Sequence, residues 1–305
     1  MSQEPAGKIS PAIWGAWVSL ISNLGLTIMK LGVGVLFGSQ VLVADGVHNA
    51  GDVIASGAAL SSMRISNRPA DEDHPYGHGK AEVLGAAFVA IILAIASLFM
   101  AYQSVETLFR EPAAPHLLPL IAAAVSLIWK LLLYVYTIRI GRESGSQGLI
   151  ATANDHLADV YASGAAVLGI MLSLIGAQIH SPYFAYGDPI AGIIVSLLVM
   201  RMAYSMGRES FDVLMEHSVD TNILKDYAAL IRTVPEVKRI DRLRGRNHGH
   251  YIIVDIRVSI PGSLTIQEGH DIGRKIKKVI TGAHPDVGEV LVHLNPWYDS
   301  EPVKL

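Results

Sequence analysis

The sequence predicts an α-helical membrane protein, six transmembrane helices followed by a C-terminal two-layer α/β domain. Three observations carry that reading. The 305 residues are 51% hydrophobic and only 17% charged, with a mean hydropathy of +0.38, whereas water-soluble chains of this length carry more charge. Apolar runs of about 20 residues or more, the length that crosses a hydrocarbon core, recur near 12–37, 41–64, 81–107, 117–140, 148–177 and 184–206. Beyond Arg208 charged residues alternate with short apolar stretches. The chain therefore divides into an N-terminal segment 1–11, a membrane domain 12–208 and an α/β domain 209–305.

The opening MSQEPAGKIS lacks the short apolar core and cleavage site of a secretory signal, so the first run is expected to remain as a span. The net charge of −3 gives no reason to expect nucleic acid as a partner, and the absence of cysteine excludes disulfides and thiolate metal sites. Basic residues set the orientation. Lys8, the 64–80 loop (Arg64, Arg68, Lys80), the turn at Arg139 and Arg142, and Arg208 fall on one side, while the opposite connections contain only Arg110. Both termini and the α/β domain are therefore expected to be cytoplasmic.

The second and fifth runs share a repeat. DVIASGAAL (52–60) and DVYASGAAV (159–167) agree at seven of nine positions, 107 residues apart. Three spans per unit makes the second copy inverted, a pattern common among secondary transporters. The small residues alone are ordinary helix-packing material. The polar residues before them are not. His48 and Asp52 are four apart, as are Asp155 and Asp159, and that spacing puts each pair on one helix face. Three carboxylates and an imidazole at mid-membrane, each carboxylate costing about 2.5–3.5 kcal/mol unpaired, become tolerable if they face each other around a divalent cation. They offer four N/O ligands, enough for tetrahedral coordination. Asp45 lies on roughly the same face, nearer the outer surface, as a supporting partner or part of the exit path. His156 points about 100° away and reads as packing or a proton relay.

The loop after the second span offers a further cluster. In RPADEDHPYGHGK, Asp71, His74 and His78 are bent together by glycine and proline and could converge on a metal. The tail reads as helix 222–233, strand 238–244, strand 250–259, helix 265–281 and strand 288–294, from period-2 alternation in DIRVSI and amphipathic spacing in QEGHDIGRKIKKVI.

HisxxxAsp in span two, AspxxxAsp in span five and DHPYGHGKAE between spans resemble the cation diffusion facilitator family, over essentially the whole chain to VLVHLNP. The resemblance implies an export transporter rather than an enzyme, without a resident cofactor, exchanging a divalent metal for protons. It also implies a homodimer in the lipid bilayer, with a metallochaperone-like (ferredoxin-like) cytoplasmic domain; the inner membrane of a bacterium is the expected location. By family position, His48, Asp52, Asp155 and Asp159 form the transport site, Asp71, His74 and His78 the loop site, and Lys80 with Glu216 a charged interlock. Zinc-binding positions of the family's cytoplasmic domain read here Asp241, Arg257, His270, His293 and Asn295. An arginine there argues against an intact binuclear site. A weaker site is expected from some of Asp241, His248, His250, His270 and His293. Three oxygens to one nitrogen at the transport site favour Mn²⁺, with Zn²⁺ and Fe²⁺ next. The alternatives are a cation channel, using the same carboxylates as a selectivity ring, and a membrane metal sensor without transport.

Overall fold

The computed structural model describes residues 11–66, 68–110, 116–144 and 147–298. The N-terminal segment 1–10, and the side chains at 55, 56 and 58–64 that include most of the first small-residue run, lie outside what it describes.

Each of the six apolar runs is a helix: α1 (Pro11–Phe37), α2 (Gln40–Ser66), α3 (Lys80–Leu108), α4 (Leu117–Ser144), α5 (Gln147–Gln178) and α7 (Gly187–Leu214). A single turn, α6 (Pro182–Ala185), starts at a proline in the connection between α5 and α7. The last long helix runs eight residues past the expected 206, because YSMGRESFDVL loses its apolar character but contains no proline. Five of the long helices, α1, α3, α4, α5 and α7, are long and apolar enough to cross a membrane among the described residues. Large apolar side chains such as Ile28, Phe99, Leu132 and Leu197 face outward. Lipid tolerates that pattern and water does not.

The chain forms two compact units, 1–59 with 88–207, and 60–87 with 208–305. In the first, Leu42 (α2), Leu93 (α3), Ala123 (α4), Ala166 (α5) and Val195 (α7) share one core. Small residues bring backbones close, as membrane helices require. At Gly169 an added Cβ would lie 2.3 Å from Ala191 Cβ and 2.9 Å from the Gly187 carbonyl, so α5 and α7 touch through glycine. One end of this unit is tied by Asp188 at the start of α7. Its carboxylate accepts from Ser39 Oγ and, at 2.7 Å, from the Gln40 amide that opens α2. A carboxylate at a helix N-terminus satisfies free amides and meets the positive end of the helix dipole.

The second unit contains the expected αββαβ domain. It runs α8 (Thr221–Arg232), β1 (Arg239–Asn247), β2 (Ile252–Pro261), α9 (Ile266–Ala283) and β3 (Val287–Trp297). The sheet order is β1-β2-β3, with β1 antiparallel and β3 parallel to β2. Asp220 caps α8, and Thr265 with Glu268 forms a capping box on α9. Ile272, Ile276 and Ile280 of α9 bury against Val254, Ile256 and Val258 of β2. Two layers around one core result.

The α2–α3 connection packs on the β1–β2 turn within this unit. Ser66 Oγ lies 2.8 Å from His250 Nδ1, and Tyr251 donates its hydroxyl to the Tyr76 carbonyl. Gly79 and Gly249 make the approach possible: a Cβ at Gly79 would sit 2.1 Å from the His248 carbonyl oxygen, and Gly249 has φ +84°. Lys80 Nζ stands 2.7 Å from Glu216 Oε1, and Arg246 Nη1 2.7 Å from Oε2. The pairing implied by family position is thus present in the structure. The hydrogen bond from Lys80, with Arg246 alongside, holds the Glu216 carboxyl below its ordinary range.

Gly79→Ala is expected to lift this loop off the turn. Hydrogen exchange over residues 68–79 should rise and the thermal midpoint fall, since the clash is with backbone rather than a movable side chain. Because the Glu216 pKa is lowered on folding, its pairing contributes above the ordinary glutamate pKa of about 4.3 and is lost as pH falls through the folded value. The thermal midpoints of wild type and Glu216→Gln should therefore differ at neutral pH and converge in acid.

Candidate metal site

Helices α2 and α5 carry the polar residues that the sequence repeats. His48 and Asp159 are 8% and 2% exposed, and His48 Nε2 donates to Asp159 Oδ1 at 2.9 Å. One ligand atom each from His48, Asp52 and Asp159 lies within 4.8 Å of the others, a grouping that could hold a metal ion. Asp155, one turn before Asp159, is exposed and stands outside that group. It lines the same cavity, about 420 Å³, with His48, Asp52, Asp159, Leu198 and Arg201. Three of the four expected ligands are therefore assembled, and the fourth shares their cavity.

Asp45 has a different neighbourhood. Its Oδ2 pairs with Lys30 Nζ of α1 at 2.9 Å and accepts from Ser163 Oγ of α5 at 3.0 Å. Lys30 also reaches Ser163 at 3.2 Å, and Ser126 of α4 lies 3.4 Å from the same hydroxyl. Asp45 thus anchors a buried cluster joining four helices, outside the grouping of potential ligand atoms. His156 turns to α1, where Nε2 meets Ser19 Oγ at 2.9 Å. Asn49, at the position equivalent to His156 in the repeat, also reaches α1, donating to the Asn23 carbonyl at 2.8 Å.

Sequence reasoning missed the cations. Lys130 of α4 is fully buried, with Nζ 2.5 Å from Asp159 Oδ2 and 2.7 Å from Asn23 Oδ1. Lys30 is equally buried. The signal was available: each is an isolated lysine in the middle of an apolar run, and an ionisable residue inside a span calls for a partner.

In the second unit Asp71, His74 and His78 do converge, offering ligand atoms within 4.8 Å of one another. Asp71 accepts from the His74 amide at 2.7 Å and lies 3.3 Å from His78 Nε2. The His74 amide, first among several donors and charges, holds the Asp71 carboxyl below its usual range. The C-terminal candidates do not form such a group among the described residues. Asp241 accepts from Ser259 and Asn295, and His293 Nε2 bonds Asn295 Oδ1 at 3.1 Å. His248 and His250 sit at the β1–β2 turn against Tyr251, and His270 is exposed on α9. Arg257 pairs in register with Arg242 on one side and His293 on the other, so two guanidinium groups share that row with His293.

Comparison with known proteins gives consistent matches. The profile of the cation efflux transmembrane domain matches residues 16–215, and that of the cation efflux protein cytoplasmic domain matches 219–297. The manganese efflux system protein MneP of Bacillus subtilis is 43% identical over 284 residues, covering 93% of this chain and 96% of MneP. The magnetosome protein MamB of Paramagnetospirillum magneticum is 33% identical over 281 residues, covering 92% and 93% of the two chains. The manganese efflux system protein MneS of Bacillus subtilis is 31% identical, covering 92% and 94%.

The Lys30–Asp45 pair tests the cost of buried charge. Lys30→Met leaves Asp45 buried without its cation and is expected to cost about 3–5 kcal/mol. Lys30→Met/Asp45→Leu should recover most of that, giving a large coupling energy in thermal unfolding of the detergent-solubilised protein.

Proposed function

The chain belongs to the cation diffusion facilitator family of cation efflux proteins, and we propose that it exports Mn²⁺ from the cytoplasm in exchange for protons. The observation that carries this reading is the convergence of His48, Asp52 and Asp159 on one point, in a cavity that Asp155 also lines. Three carboxylates and one imidazole make an oxygen-rich set suited to manganese, and the 43% identical relative is named for manganese efflux. Zn²⁺ and Fe²⁺ are the next candidates for the same donors.

The metal is the cargo, and the exchange follows from the ligands' chemistry. Without metal bound, the proton on His48 Nε2 would bridge to Asp159 Oδ1, 2.9 Å away. A divalent ion binds to deprotonated ligands, so it takes the place of that proton between the two side chains. Protons arriving from the far side reverse the replacement and release the ion. Metal and proton exclude one another because they occupy the same atoms. Asp155, exposed in the cavity, makes first contact with the incoming ion and moves in to complete four ligands. The small residues Ala162, Gly164, Ala165 and Ala166 on α5 let the helices slide as access alternates. The protein acts as a homodimer, with the basic loops and both termini cytoplasmic. The Asp71/His74/His78 loop takes a second metal ion.

Proteoliposomes carrying a pH gradient test this. Wild-type protein should move Mn²⁺ in proportion to the gradient, and Asp159→Ala should abolish the flux. Flux indifferent to the gradient would indicate a channel. Flux surviving Asp159→Ala would remove the transport site from these residues.

A further inference from the structure

We propose that Lys130 is a positioning residue that sets the ion selectivity of the transport site, by occupying one oxygen of Asp159 and cancelling one of the site's negative charges. The proposal rests on the transport-site reading above.

The two oxygens of Asp159 face different groups. Oδ1 lies 2.9 Å from His48 Nε2, and Oδ2 lies 2.5 Å from Lys130 Nζ. Lys130 is held in turn by Asn23 Oδ1 of α1 at 2.7 Å, and no part of it reaches solvent. An ammonium in that position has nowhere better to go: leaving Asp159 would strand a buried charge on each side. Asp159 is therefore presented to the cargo through one oxygen only.

Charge balance points the same way. The metal-bound site holds three ionised carboxylates, Asp52, Asp155 and Asp159, because ligands bind deprotonated. Lys130, paired with Asp159 at 2.5 Å, offsets one of those three negative charges.

Both effects bear hardest on Ca²⁺. That ion takes about six to eight oxygens and readily accepts carboxylates through both oxygens. Removing an oxygen and a negative charge from the site weakens it most, while a transition metal keeps the His48 nitrogen that suits it. Lys130 thereby makes an otherwise carboxylate-rich pocket discriminate against an oxygen-seeking competitor. Neither the DVIASGAAL/DVYASGAAV motif nor the spacing of the ligand pairs contains this element, since Lys130 stands on α4.

The test titrates full-length protein in detergent at one pH with Mn²⁺ and with Ca²⁺ by calorimetry, counting only the binding that Asp159→Ala abolishes. Thermal midpoints identify the folded variants. Lys130→Met frees Oδ2 and removes the charge, so the preference for Mn²⁺ over Ca²⁺ should fall by about tenfold or more, chiefly through tighter Ca²⁺ binding. Lys130→Gln can still donate to Oδ2 but carries no charge, and its preference should fall by a smaller factor. A purely structural lysine would lower the thermal midpoint and leave the ratio within about twofold of wild type, which overturns the proposal. If the Met variant does not fold, the Gln variant decides alone. Wild-type Mn²⁺ binding indifferent to Asp159→Ala would overturn the transport-site reading itself, and the role of Lys130 with it.

Discussion

The structure turns on keeping charge inside an apolar bundle. Asp159 is the centre of that problem: nearly fully buried, it is shared between His48 on α2 and Lys130 on α4, with Asn23 on α1 behind the lysine. One carboxylate thereby connects four helices through directional contacts, where apolar packing alone would leave their rotation loosely specified. A second carboxylate, Asp45, does the same with Lys30 and Ser163. Without these pairs each charge would oppose insertion. With them, the charges select one helix arrangement among the many that small-residue packing allows.

The two clusters are chemically alike and differently placed. Asp159 lines a cavity, where a divalent ion can compete for its carboxylate. At Asp45 both the lysine and the carboxylate are sealed, so the pair has the properties of a fixed brace. Both sit within a pseudo-repeated architecture, but the repeat is not copied in its details. Lys130 occupies the position where the first copy has Asn23, and His156 the position of Asn49. The two halves share a scaffold of helices while dividing the cation, the amide and the imidazole between them.

In the second unit the same economy of close contacts is built from backbone. Gly79 and Gly249 allow the loop carrying Asp71, His74 and His78 to lie against the β1–β2 turn, and Lys80, Glu216 and Arg246 hold it there electrostatically. The loop's own metal-type grouping depends on a tight turn, since Asp71 both caps the His74 amide and faces two imidazoles. The arginines of the sheet, Arg242 and Arg257, stand in register with His293 and set positive charge beside that histidine.

By itself the sequence determined the elements. Six apolar runs became six long helices, the strand and helix limits of the α/β domain fell within a few residues, and the i, i+4 spacing put His48 with Asp52 and Asp155 with Asp159 on single helix faces. These are local properties, set by hydropathy and by 3.6- and 2-residue periods, so neighbours in the chain suffice to read them. Tertiary structure alone decided which of those residues meet. His48 reaches Asp159 across 111 positions, Asp155 stands apart from the cluster it was expected to complete, and Asp45 belongs to Lys30. Lys130 becomes part of the site only because α4 packs along α5 with that face turned inward. Helix rotation and depth are set by the sum of many contacts between distant segments, and no single stretch of sequence contains them.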